Sequence, residues 1–262
     1  MGAHMRRLIE FPCAGETLTG TLDEASSPTG LLIVSGGNEI RAGAHRGMAM
    51  LAARVAAELG APVFRFDRRG IGDSTGTNHG FESSMQDISA AAATFAAEAP
   101  GLQRIVAFGN CDAATALALF HSAASADALL LANPWVVESG DDDMPPAAAI
   151  RSRYAEKLRD PREWLRLAKG GVNIGKLVKG LAKLSQKPSE VSASLAARMA
   201  ETLGASGIPV TILLSKGDNT AIAFRDAWKL PARIEVCETA SHSFAHAADK
   251  AWLFERVKEA LA

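Results

Sequence analysis

The sequence lacks the long apolar runs of a membrane protein, since no stretch approaches the roughly 20 residues that span a bilayer. Cysteine is scarce, with three in 262 residues. An odd, small number in a long chain excludes a disulfide-stapled scaffold and favours a reducing, cytoplasmic compartment. The net charge of −1 gives no basic excess that would point to nucleic acid. With 48% hydrophobic and 22% charged residues, the composition is that of an ordinary globular protein.

Short apolar runs alternate with alanine-rich segments of helical length. The pattern predicts strands near 7–11 and 17–22 and at 31–34, 63–66, 104–108, 128–131, 210–214 and 233–236, and helices at 44–59, 81–98, 112–123, 221–229 and 246–261. Such alternation is typical of right-handed βαβ crossovers. We therefore predict an α/β fold with a mostly parallel central sheet flanked by helices.

The alternation also predicts the domain organisation. Residues 6–134 and 208–262 are expected to form the core. Residues 135–207 have a helical pattern without a convincing strand, and we predict that they form a helical cap inserted between two strands of the core. Residues 1–5 read Met-Gly-Ala-His-Met, which is typical of an expression-tag remnant.

The segment Phe108-Gly109-Asn110-Cys111-Asp112-Ala113 directly follows a predicted strand and opens a helix. Small residues two before and two after Cys111 suit a sharp strand-to-helix turn, because such a turn forces backbone segments together. This is the G-x-nucleophile-x-small pattern with cysteine in place of serine, and a helix N-terminus favours the thiolate. The alternative is a buried cysteine that acts as a small hydrophobic residue.

Two further loops supply an acid and a base. Asp218, after the strand at 210–214, could orient a histidine, although Asp is common in such turns. His242, after the last strand, could accept the thiol proton, and the alternative is a surface or capping histidine. Nucleophile, acid and histidine occur in the chain order of α/β hydrolases. We predict a catalytic triad of Cys111, His242 and Asp218.

A fourth loop, Ser35-Gly36-Gly37-Asn38, follows the strand at 31–34. Paired glycines allow amide groups to point into a site, and an oxyanion hole needs two such donors. We predict that these are the amides of Asn38 and Asp112. The alternative is a plain Gly-Gly turn.

A basic cluster lies just past this loop. We predict that Arg41, His45 and Arg46, together with Gly37, bind the substrate, because cations near the thiol would hold a thiolate or an anionic substrate. The alternative is a salt-bridged helix start with Asp112 as a partner. No residue spacing suggests a zinc site, and neither a metal nor a cofactor is expected.

Several motifs together carry a resemblance to a known family. The stretch Arg65-Phe66-Asp67-Arg68-Arg69-Gly70-Ile71-Gly72-Asp73-Ser74 resembles the D-x-R-G-x-G-x-S loop of α/β hydrolases. From about residue 30 to the C-terminus, the chain resembles the exosortase A system-associated hydrolases of type 1. The residues that carry this second resemblance are Gly36-Gly37 with Arg41, Gly43, His45 and Arg46; the Arg-Phe-Asp loop; Gly109-Asn110-Cys111-Asp112-Ala113; and Asp160-Pro161-Arg162-Glu163-Trp164.

Three consecutive residues depart from the pattern of that family, which usually has Pro-Gln-Tyr after the paired glycines where this chain has Asn38-Glu39-Ile40. The resemblance implies a cytoplasmic, hydrolase-like protein linked to exopolysaccharide production and protein sorting.

Although the net charge of the whole chain is near zero, one segment is strongly basic. Residues 151–187 hold eleven Lys or Arg against three Asp or Glu, a net charge of +8, whereas the rest of the chain carries −9. Three hypotheses compete: a solvated face whose leucines pack on the core, a site for an anionic substrate handle such as a phosphate, and peripheral contact with an acidic membrane surface. Glycines that interrupt the helices also suggest a mobile lid.

These residues predict hydrolysis of an ester or thioester through an acyl-cysteine intermediate. The expected partner is a small-molecule or lipid-linked acyl substrate with anionic groups, and no nucleic acid. Because the acyl-enzyme is itself a thioester, an alcohol or amine can compete with water, so an acyltransferase is the nearest alternative. A non-catalytic module that binds a ligand or docks on a membrane is the alternative from another class.

Overall fold

A computed structural model describes residues 5–137 and 194–262. The strands are β1 Arg6–Cys13, β2 Glu16–Asp23, β3 Thr29–Val34, β4 Val63–Phe66, β5 Arg104–Asn110, β6 Ala128–Ala132, β7 Val210–Ser215 and β8 Arg233–Cys237. They form one sheet in the order β1-β2-β4-β3-β5-β6-β7-β8. β1 and β2 pair antiparallel, as do β2 and β4, and all other neighbours are parallel. The predicted fold class is confirmed.

The helices of the described residues are α1 Gly47–Leu59, α2 Met85–Glu98, α3 Asp112–Phe120, α4 Leu195–Ser206, α5 Asn219–Ala227 and α6 Ala247–Leu261. Short 3₁₀ turns at Ala44–Arg46 and Phe81–Ser83 precede α1 and α2. The helix predicted at 221–229 instead begins at Asn219, because Asp218 caps its N-terminus. The helix predicted at 112–123 ends at Phe120. None of the helices in the described ranges is long and apolar enough to cross a membrane.

The central strands are buried on both faces, which explains their continuous apolar runs. In β3, Leu32 and Val34 belong to the core cluster that includes residues of α2, α3 and α4, whereas Leu31 and Ile33 belong to the cluster on the side of α1 and α6. Successive side chains of a strand point to opposite faces, so the two clusters are separated by the sheet itself.

Most of the predicted cap lies outside the described residues. This applies to residues 138–193, which include the basic segment 151–187, and to residues 1–4 of the predicted tag remnant. The described end of the predicted insertion is α4, whose Leu195 and Met199 are buried in the first core cluster. α4 leads through Gly207 into β7, so it serves as a crossover helix of the sheet. The three hypotheses for the basic segment remain predictions.

Candidate active site

The C-terminal ends of the parallel strands carry the four loops that the sequence singled out. Cys111 follows β5, Asp218 follows β7, His242 follows β8, and the Gly36-Gly37 loop follows β3. In open parallel sheets, ligands bind at this edge. The topology therefore directs all four loops to one edge of the sheet.

Cys111 lies on a tight turn between β5 and α3. Its φ of 62° and ψ of −126° are a backbone conformation that residues other than glycine rarely adopt. A β-carbon added to Gly109 would lie 2.7 Å from the backbone carbonyl carbon of Ala113, so a side chain does not fit there without a shift. The Cys111 thiol is partly exposed. The sharp strand-to-helix turn expected from the small residues is therefore present.

The backbone of Cys111 is held by hydrogen bonds on both sides. Its amide donates to the carbonyl of Ala132 at 2.9 Å, and its carbonyl accepts from the amides of Trp135 at 3.2 Å and Ala114 at 3.1 Å. Strained conformations persist where the surrounding structure fixes them. These three contacts hold the thiol at the edge of the sheet.

Asp218 and His242 form a direct pair, with Oδ2 of Asp218 3.0 Å from Nδ1 of His242. The same carboxylate oxygen accepts the amides of Thr220 at 3.1 Å and Ala221 at 3.0 Å, as the N-cap of α5. Asp218 thus serves a structural role and orients His242 at the same time. Because Nδ1 is engaged by Asp218, Nε2 is the nitrogen left to interact with Cys111.

The protonation of this pair follows from its contacts. The hydrogen bond with Asp218, followed by that with Cys111, raises the pKa of His242 to about 10 from an ordinary value of 6.5. Burial acts to raise the pKa of Asp218, but its hydrogen bond with His242, the histidine charge and the two α5 amides outweigh burial and lower that pKa. At neutral pH, the pair is an imidazolium and a carboxylate.

The loop after β3 is tied to the elbow through the side chain of Asp112. Its Oδ1 accepts the amide of Gly37 at 2.5 Å. The buried guanidinium of Arg68 donates to the carbonyl of Gly37 at 2.6 Å and lies 3.3 Å from Oδ2 of Asp112. A β-carbon on Gly36 would lie 2.5 Å from the carbonyl oxygen of Asn110. The two loops are therefore packed backbone against backbone.

Within the described residues 5–137 and 194–262, the amides predicted to bind an oxyanion have no competing hydrogen-bond acceptor. Neither the N–H of Asn38 nor that of Asp112 donates to any described residue. The side chain of Asn38 accepts from Asn78 at 3.1 Å and leaves its own backbone amide unused. The Gly37 amide, by contrast, is occupied by the Asp112 carboxylate.

Of the three cationic residues predicted to bind substrate, Arg41 is engaged in ion pairs, whereas His45 and Arg46 are exposed. Arg41 forms ion pairs with Asp67 and, at 2.9 Å, with Asp73, and its amide donates to Asp67 Oδ1 at 2.5 Å. Its guanidinium therefore holds the Asp67–Ser74 loop against the end of the sheet. His45 and Arg46 are exposed, and their side chains form no hydrogen bond or ion pair within residues 5–137 and 194–262. The alternative that Asp112 pairs with this cluster is wrong, because Arg68 is its partner.

The sequence reasoning missed two residues that organise the site. Arg68 lies in the Asp67–Ser74 loop, and no local sequence pattern distinguishes it from Arg69, which pairs with Asp87 at 2.5 Å. Asn133 is fully buried and donates to the carbonyl of His242 at 3.1 Å. Its position directly after β6 was an available signal, because polar residues at the ends of parallel strands often line a site.

The other two cysteines lie apart from the triad. Cys13 and Cys237 are buried, and burial raises the pKa of both thiols, that of Cys13 to about 11. Among the described residues, no group of three or more His, Cys, Asp or Glu side chains is arranged to hold a metal ion.

Solved structures share this fold at low sequence identity. The esterase Pf2001 of Pyrococcus furiosus is 16% identical with a TM-score of 0.65, and the alignment covers 98% of this chain and 90% of the esterase. A putative hydrolase of Agrobacterium vitis S4 is 15% identical with a TM-score of 0.59, covering 99% of each chain. XC6422 of Xanthomonas campestris, described as an α/β serine hydrolase without a lid, is 14% identical with a TM-score of 0.58, covering 99% of this chain and 94% of the other.

At these identities, the solved structures establish the fold and leave the chemistry to the residues of this chain. None of the curated protein sequences compared with this chain matches it. The model of the alpha/beta hydrolase family matches residues 31–256, a span that holds the elbow cysteine, the acid and the histidine. The chain therefore belongs to the alpha/beta hydrolase family.

Proposed function

We propose that the protein hydrolyses an ester or thioester through a triad of Cys111, His242 and Asp218 and a covalent acyl-cysteine. The observation that carries the proposal is the pairing of His242 Nδ1 with Asp218 Oδ2 at 3.0 Å, in a site where Cys111 on the strained turn interacts with the same imidazole and helps to raise its pKa. A base oriented by an acid and placed on a nucleophile is the arrangement that activates a thiol for attack on a carbonyl.

The acylation step follows from these contacts. In the reacting state the thiol proton is held on Nε2 of His242, and the thiolate attacks the carbonyl carbon, forming a C–S bond and an oxyanion. When the oxyanion collapses, the alcohol or thiol of the substrate leaves and takes the proton from His242. Asp218 holds the imidazole throughout and stabilises its positive charge.

Deacylation reverses the proton flow. His242 takes a proton from water as the water oxygen attacks the thioester carbon. The C–S bond then breaks, the acid product leaves, and Cys111 returns to the thiolate beside the imidazolium. Each cycle consumes one water and leaves the protein unchanged.

The oxyanion is assigned to the amides of Asn38 and Asp112. Support comes from their lack of a competing acceptor in the described chain and from the tie between Gly37 and Asp112, which fixes one loop against the other. Preorganised amide donors contribute much of the catalysis in acyl transfer, and losing one typically costs about 10²–10³-fold in kcat. His45 and Arg46, exposed and without described partners, stay proposed contacts for an anionic part of the substrate, with Arg41 and Gly37 supporting their loop.

Acyl transfer is a second candidate because the intermediate is a thioester. An alcohol or amine that reaches the site competes well with water for such an intermediate. The resemblance to exosortase-associated hydrolases extends the proposal to a cytoplasmic protein that acts on a lipid-linked or otherwise anionic acyl compound. Parallel assays of a chromogenic thioester with and without added alcohol or amine acceptors separate hydrolysis from transfer, because transfer yields the acceptor ester or amide.

The decisive experiment is intact-protein mass spectrometry after exposure to a panel of esters and acyl thioesters. We expect a mass increase equal to one acyl group in the parent and in the matched control Cys237→Ala, and none in Cys111→Ala. An adduct that persists in Cys111→Ala overturns the nucleophile assignment. No adduct with any panel member, together with a Cys111 thiol that resists alkylation at neutral pH, instead supports a non-catalytic ligand-binding module.

A further inference from the structure

Asn133 lies directly after β6 and contacts the last residues of β5 and β7 and the loop after β8, around the proposed site. Its Nδ2 donates to the carbonyl of His242 at 3.1 Å and lies 3.2 Å from Oδ1 of Asn110 and 3.3 Å from Oγ of Ser215. Its Oδ1 accepts the amide of Ser215 at 2.8 Å. One fully buried side chain therefore joins the last residues of β5 and β7 to the loop that follows β8.

The carbonyl oxygen of His242 is held by two amide groups. Nδ2 of Asn110 donates to it at 3.2 Å, alongside the donor from Asn133. A carbonyl oxygen has two lone pairs, so both acceptor positions are filled. The preceding carbonyl, that of Ser241, accepts from Oγ of Ser215 at 2.9 Å. Two consecutive peptide units at His242 are thus fixed to strand ends.

The segment that carries Asn133 also holds the nucleophile. Ala132 accepts the amide of Cys111 at 2.9 Å, and Trp135 donates its amide to the carbonyl of Cys111 at 3.2 Å. Oγ1 of Thr115 donates to the carbonyl of Trp135 at 2.7 Å, which ties the segment to α3. Asn133, whose side chain contacts His242, therefore lies between Ala132 and Trp135, the two residues that hydrogen-bond the backbone of Cys111.

We propose that Asn133 is a positioning residue that holds His242 in register with Cys111, because one short segment bonds the backbones of both. The inference rests on the proposed function of these two residues. Position 133 needs a side-chain amide. The carbonyl oxygen of His242 and Oδ1 of Asn110 require a donor there, while the backbone amide of Ser215 requires an acceptor. An aspartate would present a carboxylate to two acceptors, and an alanine would leave buried polar groups without partners.

The test is the rate at which iodoacetamide alkylates Cys111 from pH 5 to pH 10, mapped to Cys111 by peptide mass spectrometry. This readout needs no substrate. We expect Asn133→Asp to slow alkylation at pH 7 by about 10- to 100-fold, because a displaced imidazole no longer assists loss of the thiol proton. Asn133→Ala should slow alkylation as well, and His242→Ala gives the rate expected for complete loss of the histidine.

A destabilised control separates positioning from stability. Phe95→Leu alters a buried residue on α2 that packs against Phe64, outside the contacts of the site, and should leave the alkylation profile unchanged while lowering the free energy of unfolding. If Asn133→Asp does not fold, Asn133→Ala and Asn110→Ala, which removes the second donor to His242, provide the same readout. Parental profiles in every folded variant of these two positions overturn the proposal.

The outcomes also separate this inference from the proposed function. If no ester or thioester acylates Cys111 but Asn133 variants still shift its alkylation profile, the positioning role stands and the hydrolase proposal fails. If Cys111 is acylated in the parent while Asn133 variants alkylate as the parent does, the positioning role alone is wrong.

Discussion

The carboxylate of Asp112 accepts the amide of Gly37 at 2.5 Å, so the residue after the proposed nucleophile closes the loop after β3 onto the elbow. Arg68 completes this closure by donating to Gly37 and contacting the same carboxylate. The contact joins residues 75 positions apart in the chain. Because Asp112 holds Gly37, the contact also fixes the position of the next residue, Asn38, whose amide is a predicted oxyanion donor.

Removing the Asp112 carboxylate should affect both activity and stability. We expect Asp112→Ala to release the Gly37 loop and to lower kcat/KM by about 10- to 100-fold, because one oxyanion donor loses its fixed position. Buried Arg68 would also lose its charge partner, at a cost of about 3 kcal/mol in unfolding free energy. Asp112→Asn keeps an oxygen that can accept from Gly37 and should lose less activity. Equal losses in the two variants would show that the Gly37 contact is irrelevant to turnover.

The two roles of Asp218 can be separated by two substitutions. Asparagine is as good an N-cap as aspartate, so Asp218→Asn should lose only the stability that comes from the ion pair with His242, whereas Asp218→Ala should lose about 1–2 kcal/mol more because α5 also loses its cap. Both variants lose the carboxylate that orients His242, and kcat should fall by on the order of 10²–10⁴-fold in each. Urea unfolding and steady-state kinetics on the same preparations measure the two effects. Equal unfolding free energies in Asp218→Asn and Asp218→Ala would contradict the assignment of the helix cap.

The pH dependence of stability should report the protonation of His242. Its pKa is raised to about 10 in the folded protein from an ordinary 6.5, so the stability conferred by its proton is complete below about 6.5 and is lost as the pH rises through about 10. We expect the difference in unfolding free energy between the parent and His242→Gln to shrink over this window. Denaturant unfolding at each pH measures that difference. A constant difference from pH 6.5 to 10 would exclude the Asp218–His242 ion pair.

Activity should fall at high pH for a related reason. Acylation needs the His242 proton for the leaving group, so kcat/KM should decline on the alkaline side with an apparent pKa near 10. In Asp218→Asn the main contact that raises the pKa of His242 is gone, and the alkaline limb should move towards neutral pH. An alkaline limb at the same pH in both proteins would rule out His242 as the proton donor.

Close packing at the elbow predicts a stability contrast between two glycines. An alanine β-carbon at Gly109 would lie 2.7 Å from the Ala113 backbone, and overpacking of this kind costs about 1–3 kcal/mol. Gly204, within α4, has open space around the same position, and Gly204→Ala should stabilise by about 0.4–1 kcal/mol. Chemical unfolding of the two variants measures both. An unchanged free energy of unfolding in Gly109→Ala would show that the turn has room for a β-carbon at this position.

The sequence was informative wherever the structure depends on local pattern. Every predicted strand and helix within the described residues is present, because β3 and its neighbours are buried on both faces and their apolar runs are uninterrupted. The Gly109–Ala113 spacing likewise predicted the sharp turn at Cys111, since steric limits on a turn act between residues close in sequence.

Ion pairs between residues far apart in the sequence could not be predicted in the same way. Arg41, Arg68 and Arg69 are chemically equivalent in the sequence, yet they pair with Asp67, Asp112 and Asp87 respectively. Which carboxylate each one meets depends on strand order and on loop packing. The role of Asn133 depends on four strand ends lying side by side, which no local pattern encodes.

The shared carboxylate of Asp218 has a consequence for how such a protein changes in evolution. A lineage released from selection for catalysis could replace Cys111 and lose only a strained side chain, but replacing Asp218 by any residue that cannot cap a helix would also destabilise the start of α5. Aspartate, or another capping residue, should therefore persist at this position after the activity is lost. An aspartate at this position in a diverged relative is weak evidence of a working enzyme, and the identity of the residue at the elbow is the better diagnostic.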